Sequence, residues 1–245
     1  MSTGSTHEFG SQATRSFVEK CLDWAVLLAV VTGGVTMAWT YWPARQAPAI
    51  PIVPQTISIE NAATRGQTDA TVVMVQYSEF QCPYCKVFGR DIMPALDAKY
   101  VNPGKLLVAF RHFPLDSVHK AAVHLGAVAE CARKSGSFWK VHDFLFSRDT
   151  ASGSSLQRDD IIRLGMNPDV LEACSQHEGE ASVLRDRQEG VSLGVEGTPT
   201  FFFALNEATS SLRVEERLAG AQPVETFSRV IELLLDRAQS RHPVK

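Results

Sequence analysis

The chain has 245 residues, 44% of them apolar and 21% charged, ordinary values for a globular protein with room for one large domain or two small ones. Its formal net charge of −3 supplies no basic field, which argues against nucleic acid as a partner. Five cysteines are too few for a dense disulfide scaffold and form no repeated zinc pattern.

Residues 1–20 are rich in Ser, Thr, Gly and charge and read as a polar tail. From Trp24 to Trp42 the run WAVLLAVVTGGVTMAWTYW carries no charge over 19 residues. That is about 28 Å of helix against a hydrocarbon core of roughly 30 Å. Trp24 stands at one end and Trp39, Tyr41 and Trp42 at the other, as interfacial aromatic belts require. Residues 21–42 are therefore expected to form a single transmembrane anchor, with Cys21 at the lipid boundary. A cleaved signal is the alternative, since Ala47-Pro48-Ala49 offers a cleavage sequence. Arg15 and Lys20 before the run, against Arg45 after it, favour a cytoplasmic tail and an exported C-terminal domain. Residues 43–54 hold four prolines in twelve and read as an extended linker.

The globular part is expected over residues 55–245. TVVMVQYSEF, residues 71–80, is β-branched and apolar and reads as a buried strand. A helix comes next, from Lys86 to Tyr100, with a kink expected at Pro94. Asn102-Pro103-Gly104 is a turn, and LLVAFRHF, residues 106–113, a second buried strand, so the three make one parallel unit. From about residue 116 to 193 the β pattern lapses. Helical patterns replace it, among them Ser117–Lys134 and Ser137–Phe146, with a Gly-Ser break at 151–155. Strands return at 197–207 and 212–220, and an amphipathic helix with Val224, Phe227, Val230, Ile231 and Leu234 on one stripe closes the chain. A helical block thus interrupts an α/β domain.

Between the first strand and the first helix lies CPYC, Cys82 to Cys85. Such a pair can be half of a zinc site, a structural staple or a catalytic dithiol. Pro83 suits the first helical position, where a missing N–H costs nothing. Cys82 would then face the unpaired N–H groups and the positive end of the helix dipole. Helix-start thiols of this kind reach pKa values of about 3.5 to 7, against about 8.5 for a free thiol. Zinc needs four ligands. Cys131 and Cys174 are isolated from the pair, and His112, His119, His124, His142 and His177 fall at no ligand spacing. These histidines read as ordinary helix or surface residues, and no metal is expected. Further on, Pro199 in GTPT precedes the apolar strand TFFFAL, where an ordinary loop proline and a cis proline are both open readings.

A strand–CPYC–helix unit with a later GTPT loop opening a strand resembles the thioredoxin superfamily. The long helical block between them resembles its DsbA-like thiol–disulfide oxidoreductases. The resemblance implies an α/β thioredoxin-like fold with an inserted helical domain, here behind a single transmembrane helix. It implies Cys82 as the exposed nucleophile and Cys85 as the buried resolving thiol. It implies Thr198 and a cis Pro199 beside the pair, and Pro83, Tyr84, Gly197 and Thr198 along an extended substrate. No cofactor is implied. The acid common in this group six residues before the first cysteine is replaced by Gln76; Glu79 nearby is a candidate for proton transfer. In an oxidising compartment Cys131 and Cys174 could bridge, or could remain two buried thiols.

The expected protein sits in a bacterial inner membrane with its catalytic domain in the periplasm. It would exchange disulfides with reduced or misoxidised exported proteins and be reset by a membrane redox partner. Oxidation is the expected direction. Isomerisation or reduction, a periplasmic copper-binding dithiol, and a scaffold that lost the chemistry are the alternatives.

Overall fold

The structure is a computed structural model that describes residues 55–148, 156–207 and 211–241. The tail at 1–20, the apolar run at 21–42, the linker at 43–54 and the Gly-Ser break at 151–155 lie outside the described residues. Among the described residues no helix is long and apolar enough to cross a membrane.

Among the described residues six strands form one mixed sheet: β1 (Thr56–Ser58), β2 (Ala63–Arg65), β3 (Val72–Ser78), β4 (Leu106–His112), β5 (Thr200–Leu205) and β6 (Ser211–Ala219), in the order β1-β6-β5-β3-β4-β2. Only β3 and β4 run parallel; every other neighbouring pair is antiparallel. All seven positions of β3 and of β4 are buried, as their unbroken apolar runs demand of central strands covered on both faces. The two-residue period of a strand then sorts the side chains. Val72 and Met74, with Phe201 and Phe203, join one core cluster; Val73, Val75 and Tyr77, with Phe202 and Ala204, join another.

The helix after β3 opens at Pro83, the first helical position expected from the CPYC turn and three residues before the apolar pattern that begins at Lys86. It alternates α1 (Pro83–Val87), a π turn at Phe88–Ile92, α2 (Met93–Leu96) and a π turn at Asp97–Val101. A π turn thus ends just before Pro94, the position where the sequence predicts a kink. Met93 N–H reaches back to Phe88 C=O across the wide turn, which loosens the backbone where proline cannot donate. On the same side of the sheet the last helix, α8 (Val224–Arg241), buries Phe227, Ile231 and Leu234. Phe88, Phe201 and Phe227 meet there with ring centroids 4.5 to 5.2 Å apart. Each buried ring contributes about 1.5 to 3 kcal/mol.

Between β4 and β5 stand α3 (Ala122–Lys134), α4 (Phe138–Ser147), α5 (Arg158–Arg163), α6 (Pro168–Cys174), a π turn at Ser175–Gly179 and α7 (Glu180–Ser192). Helix α3 begins at Ala122, not at Ser117. Residues 115–121 make turns instead, with His119 N–H on Leu115 C=O and Ala121 N–H on the Gln81 side chain at 2.6 Å. A buried ion pair ties the block to the sheet: Arg111 of β4 donates to Asp186 of α7 at 2.8 Å, and the second Asp186 oxygen accepts from His112 N–H at 3.0 Å. The three-residue strands β1 and β2 extend the sheet beyond what the sequence predicts.

Candidate active site

Strand register brings the site together. Tyr77 of β3 pairs with Thr200 of β5, so the chain leaving β3 and the chain arriving at β5 occupy one edge of the sheet. Cys82 and the 197–199 loop therefore converge although 116 residues separate Cys82 from Thr198. The Thr198–Pro199 peptide is cis, and the Cys82 thiol donates to Thr198 C=O at 3.3 Å.

Cys82 occupies the N-cap position of α1 with extended backbone (φ −68°, ψ 121°), and Pro83 is the first helical residue. Four groups draw its pKa down to about 6: the Cys85 side chain most strongly, then the Thr198 hydroxyl and the N–H groups of Cys85 and Tyr84, against the opposing cost of burial. The Thr198 hydroxyl itself has no hydrogen-bond partner among the described residues, so the geometric contact of this loop with the sulfur is the one through the Thr198 carbonyl. Cys85 is fully buried. Burial foremost, and then the neighbouring Cys82 sulfur and its charge, push its thiol well above the ordinary value. One thiol of the pair is thus readily ionised and the other is held protonated.

The expectation that Cys82 is exposed is corrected: it is only 3% exposed. The Thr198–Pro199 loop lies against it and it packs in the apolar cluster with Phe80 and Cys85. The outer face of the turn is instead Pro83 and Tyr84, with Tyr84 65% exposed. Gly197 is half-buried and opens to free space, since a Cβ there would meet nothing within 4 Å.

Gln76 is buried, and its Nε2 has no partner among the described residues. Glu79 is buried as well, with one carboxylate oxygen accepting from Gln81 N–H at 2.6 Å and the other against His119 Nδ1. Burial raises the Glu79 pKa to about 7 and the Cys82 charge adds to this, while the Gln81 N–H and His119 oppose it. His119 is therefore no ordinary surface histidine. Nor are His112 and His142, which sit inside the core, His112 driven down to about 4 by burial. Topology held the signal for His119: β3 and β4 are parallel neighbours, so the segments that leave their C-terminal ends emerge at the same edge. Cys131 and Cys174 are joined by a disulfide, with an S–S distance of 2.01 Å. Among the described residues no group of three or more His, Cys, Asp or Glu side chains could hold a metal ion.

A thioredoxin-type sheet with an asymmetric cysteine pair at a strand–helix junction, facing a cis-proline loop, defines a class of dithiol protein. A sequence model of the family described as Thioredoxin matches residues 58–232, and the chain belongs to that family. Its fold is of the DsbA-like form. The crystal structure of Wolbachia pipientis alpha-DsbA1 superposes with a TM-score of 0.64 at 24% identity, covering 76% of this chain and 99% of that one. The Na(+)/H(+) antiporter NhaA 3 of Salinispora tropica is 32% identical over 143 residues, 56% of this chain but 21% of the antiporter, so the chain spans about a fifth of that relative's length. A Rickettsia conorii protein provisionally named a protein-disulfide oxidoreductase is 27% identical over 202 residues, 79% of this chain and 68% of that protein.

Proposed function

We propose that this protein is a thiol–disulfide oxidoreductase of DsbA type that oxidises substrate proteins through Cys82 and Cys85. The observation that carries the reading is the asymmetry of the pair, with Cys82 lowered to about 6 and Cys85 raised. A substrate thiolate attacks the Cys82 sulfur of the oxidised pair, forming a mixed disulfide and expelling Cys85 as a thiolate that takes a proton. The second substrate thiolate then attacks the substrate sulfur and releases Cys82 as a thiolate. Cys82 is the better leaving group because its anion is stabilised, and the same stabilisation favours the reduced protein. Thr198 and Gly197 offer backbone to an extended substrate beside the exposed Pro83 and Tyr84. The domain is held outside the cytoplasm by residues 21–42 as a membrane anchor, a reading that rests on the uncharged run and its flanking aromatics.

The test is the equilibrium of the Cys82–Cys85 pair with a glutathione buffer. An oxidase gives a potential near about −120 mV, and a value near about −270 mV replaces this reading with a reductase. Denaturation provides a second measurement. Because the folded state lowers the Cys82 pKa from 9.0 to about 6, thiolate stabilisation is complete above about pH 9 and is lost as the pH falls through 6. At pH 7 the reduced form is expected to gain about 1 kcal/mol from it after allowance for solvent screening. The urea midpoint of the reduced protein, relative to the oxidised one, should therefore fall between pH 8 and about pH 5. A pH-independent difference removes the thiolate from the account.

A further inference from the structure

We propose that the Ser78 hydroxyl is a further catalytic group of the exchange reaction, donating to the Cys85 sulfur as that sulfur leaves the disulfide. The inference rests on the oxidoreductase reading and deepens it by naming what steadies the departing sulfur.

Strand alternation places the side chain. In β3 the residues Val72, Met74, Gln76 and Ser78 share one face of the sheet. Val72 and Met74 lie there in the apolar cluster that holds Phe88, Ile92 and Leu96 of the following helix. Those three line the buried side of the helix, and Cys85, one turn before Phe88, is the buried residue of α1. Only residues 79–82 join the strand to the helix. The first inward residue of the helix, Cys85, therefore comes back over the last inward residue of the strand, Ser78. The serine backbone is fixed there: Ser78 pairs with His112 of β4, and its C=O accepts from Phe113 N–H at 2.9 Å.

The hydroxyl is out of place as a packing group. Ser78 is 0% exposed, and its Oγ has no hydrogen-bond partner among the described residues. A buried polar group left unpaired lowers stability, and alanine would fill the space without that cost. Cys85 is 0% exposed as well, so water does not solvate its sulfur when it becomes an anion. Burial foremost, and then Cys82, oppose a charge on Cys85, while the Ser78 hydroxyl and the Glu79 N–H favour it. The serine is thus unpaired while Cys85 is a thiol and gains its partner when Cys85 is a thiolate.

The first step of exchange creates that anion. A substrate thiolate gives an electron pair to the Cys82 sulfur, the Cys82–Cys85 bond breaks, and its electron pair goes to the Cys85 sulfur. One negative charge passes from the substrate sulfur to Cys85, and no proton moves with it. Part of this charge already rests on Cys85 in the transition state, where a donor aimed at it lowers the barrier. One transition state serves both directions, so the return attack of Cys85 on Cys82 gains by the same factor. Neither end state carries the charge, because Cys85 is bonded in the disulfide and is a thiol in the reduced pair. The hydroxyl therefore changes rates and leaves the redox equilibrium alone.

The full chain and its Ser78→Ala and Ser78→Thr variants decide the matter. Each oxidised protein is mixed with excess dithiothreitol, quenched with acid and scored for free thiols. Ser78→Ala should slow the reduction by about tenfold or more, as expected for a lost hydrogen bond to a charged group. Ser78→Thr keeps the hydroxyl and should stay within about threefold of wild type. The equilibrium constant of Ser78→Ala with glutathione should match wild type within about twofold, and alkylation of its Cys82 should keep a midpoint of about 6. Its melting temperature should hold or rise, since an unpaired buried hydroxyl has been removed. Wild-type rates in folded Ser78→Ala overturn the proposal. A slow Ser78→Ala with a shifted equilibrium constant or a lowered melting temperature also overturns it, because the serine would then be structural. A folded Ser78→Thr as slow as Ser78→Ala does the same; if Ser78→Thr does not fold, Ser78→Ala decides alone. Reversible exchange with glutathione by the wild-type protein tests the oxidoreductase reading separately, and its absence sinks that reading whatever the variants do.

Discussion

Cys82→Ser is expected to abolish disulfide exchange with a reduced protein substrate, while Cys85→Ser is expected to accumulate a stable mixed disulfide. A serine hydroxyl forms no disulfide, so losing the attacked sulfur removes the first step altogether. In Cys85→Ser the Cys82 thiolate can still attack a disulfide of the substrate, expelling one substrate sulfur as a thiolate, and the adduct persists because Cys85 is no longer there to attack the Cys82 sulfur and release the other. The assignment of roles rests on the asymmetry of the pair, Cys82 being lowered to about 6 and Cys85 raised and fully buried. Alkylation of the reduced protein with a small reagent, read by mass spectrometry, provides the check. Label should appear on Cys82 first, at a rate rising with pH to a midpoint near about 6 as thiolate replaces thiol. Because Cys82 is 3% exposed, a bulky reagent should label it more slowly than a small one. Label on Cys85 first, or exchange retained in Cys82→Ser, would reverse the roles.

The two central strands and the dithiol turn were legible because their signals are local. Unbroken apolar runs mark β3 and β4, Pro83 marks a helix start, and GTPT marks the approach to β5. The strands β1 and β2, three residues each, are too short to carry a pattern of their own and exist by pairing with β6 and β4. Residues 117–121 share the apolar spacing of α3, but the Gln81 side chain takes Ala121 N–H, and this long-range bond leaves no trace in the local sequence. The covering of Cys82 by the Thr198 loop is likewise a matter of register between distant strands. His119 is the most consequential of these. Its partner lies 40 residues away, and only the parallel pairing of β3 and β4 brings the two segments together.

Replacing both Cys131 and Cys174 by serine should lower stability by about 4 kcal/mol without lowering the rate of exchange at Cys82. The bond closes a loop with a sequence separation of 43, and the chain-entropy model assigns about 4 kcal/mol to a loop of that size. For a domain of this size the melting temperature should fall by roughly 8 to 16 °C. The bond joins α3 to the end of α6, just before the π turn at Ser175–Gly179. That turn lies so close to α3 that a Cβ on Gly179 would come within 2.6 Å of Ala127 C=O and 2.8 Å of Cys131 Sγ. Packing alone therefore holds some of the contact, and Gly179→Ala should weaken it with the disulfide intact. Cys131 and Cys174 also pack in the apolar cluster that contains Cys82 and Cys85, which makes electron exchange between the two pairs a real alternative to a structural role. The double variant separates the two. A structural bond predicts a lower melting temperature and, well below it, wild-type exchange kinetics and an unchanged redox equilibrium with glutathione. A bond that takes part in the chemistry predicts altered exchange in a protein that is still folded. A melting temperature within about 2 °C of wild type would show that this bond contributes little, leaving the helical block to be held by its buried packing and by the Arg111–Asp186 pair.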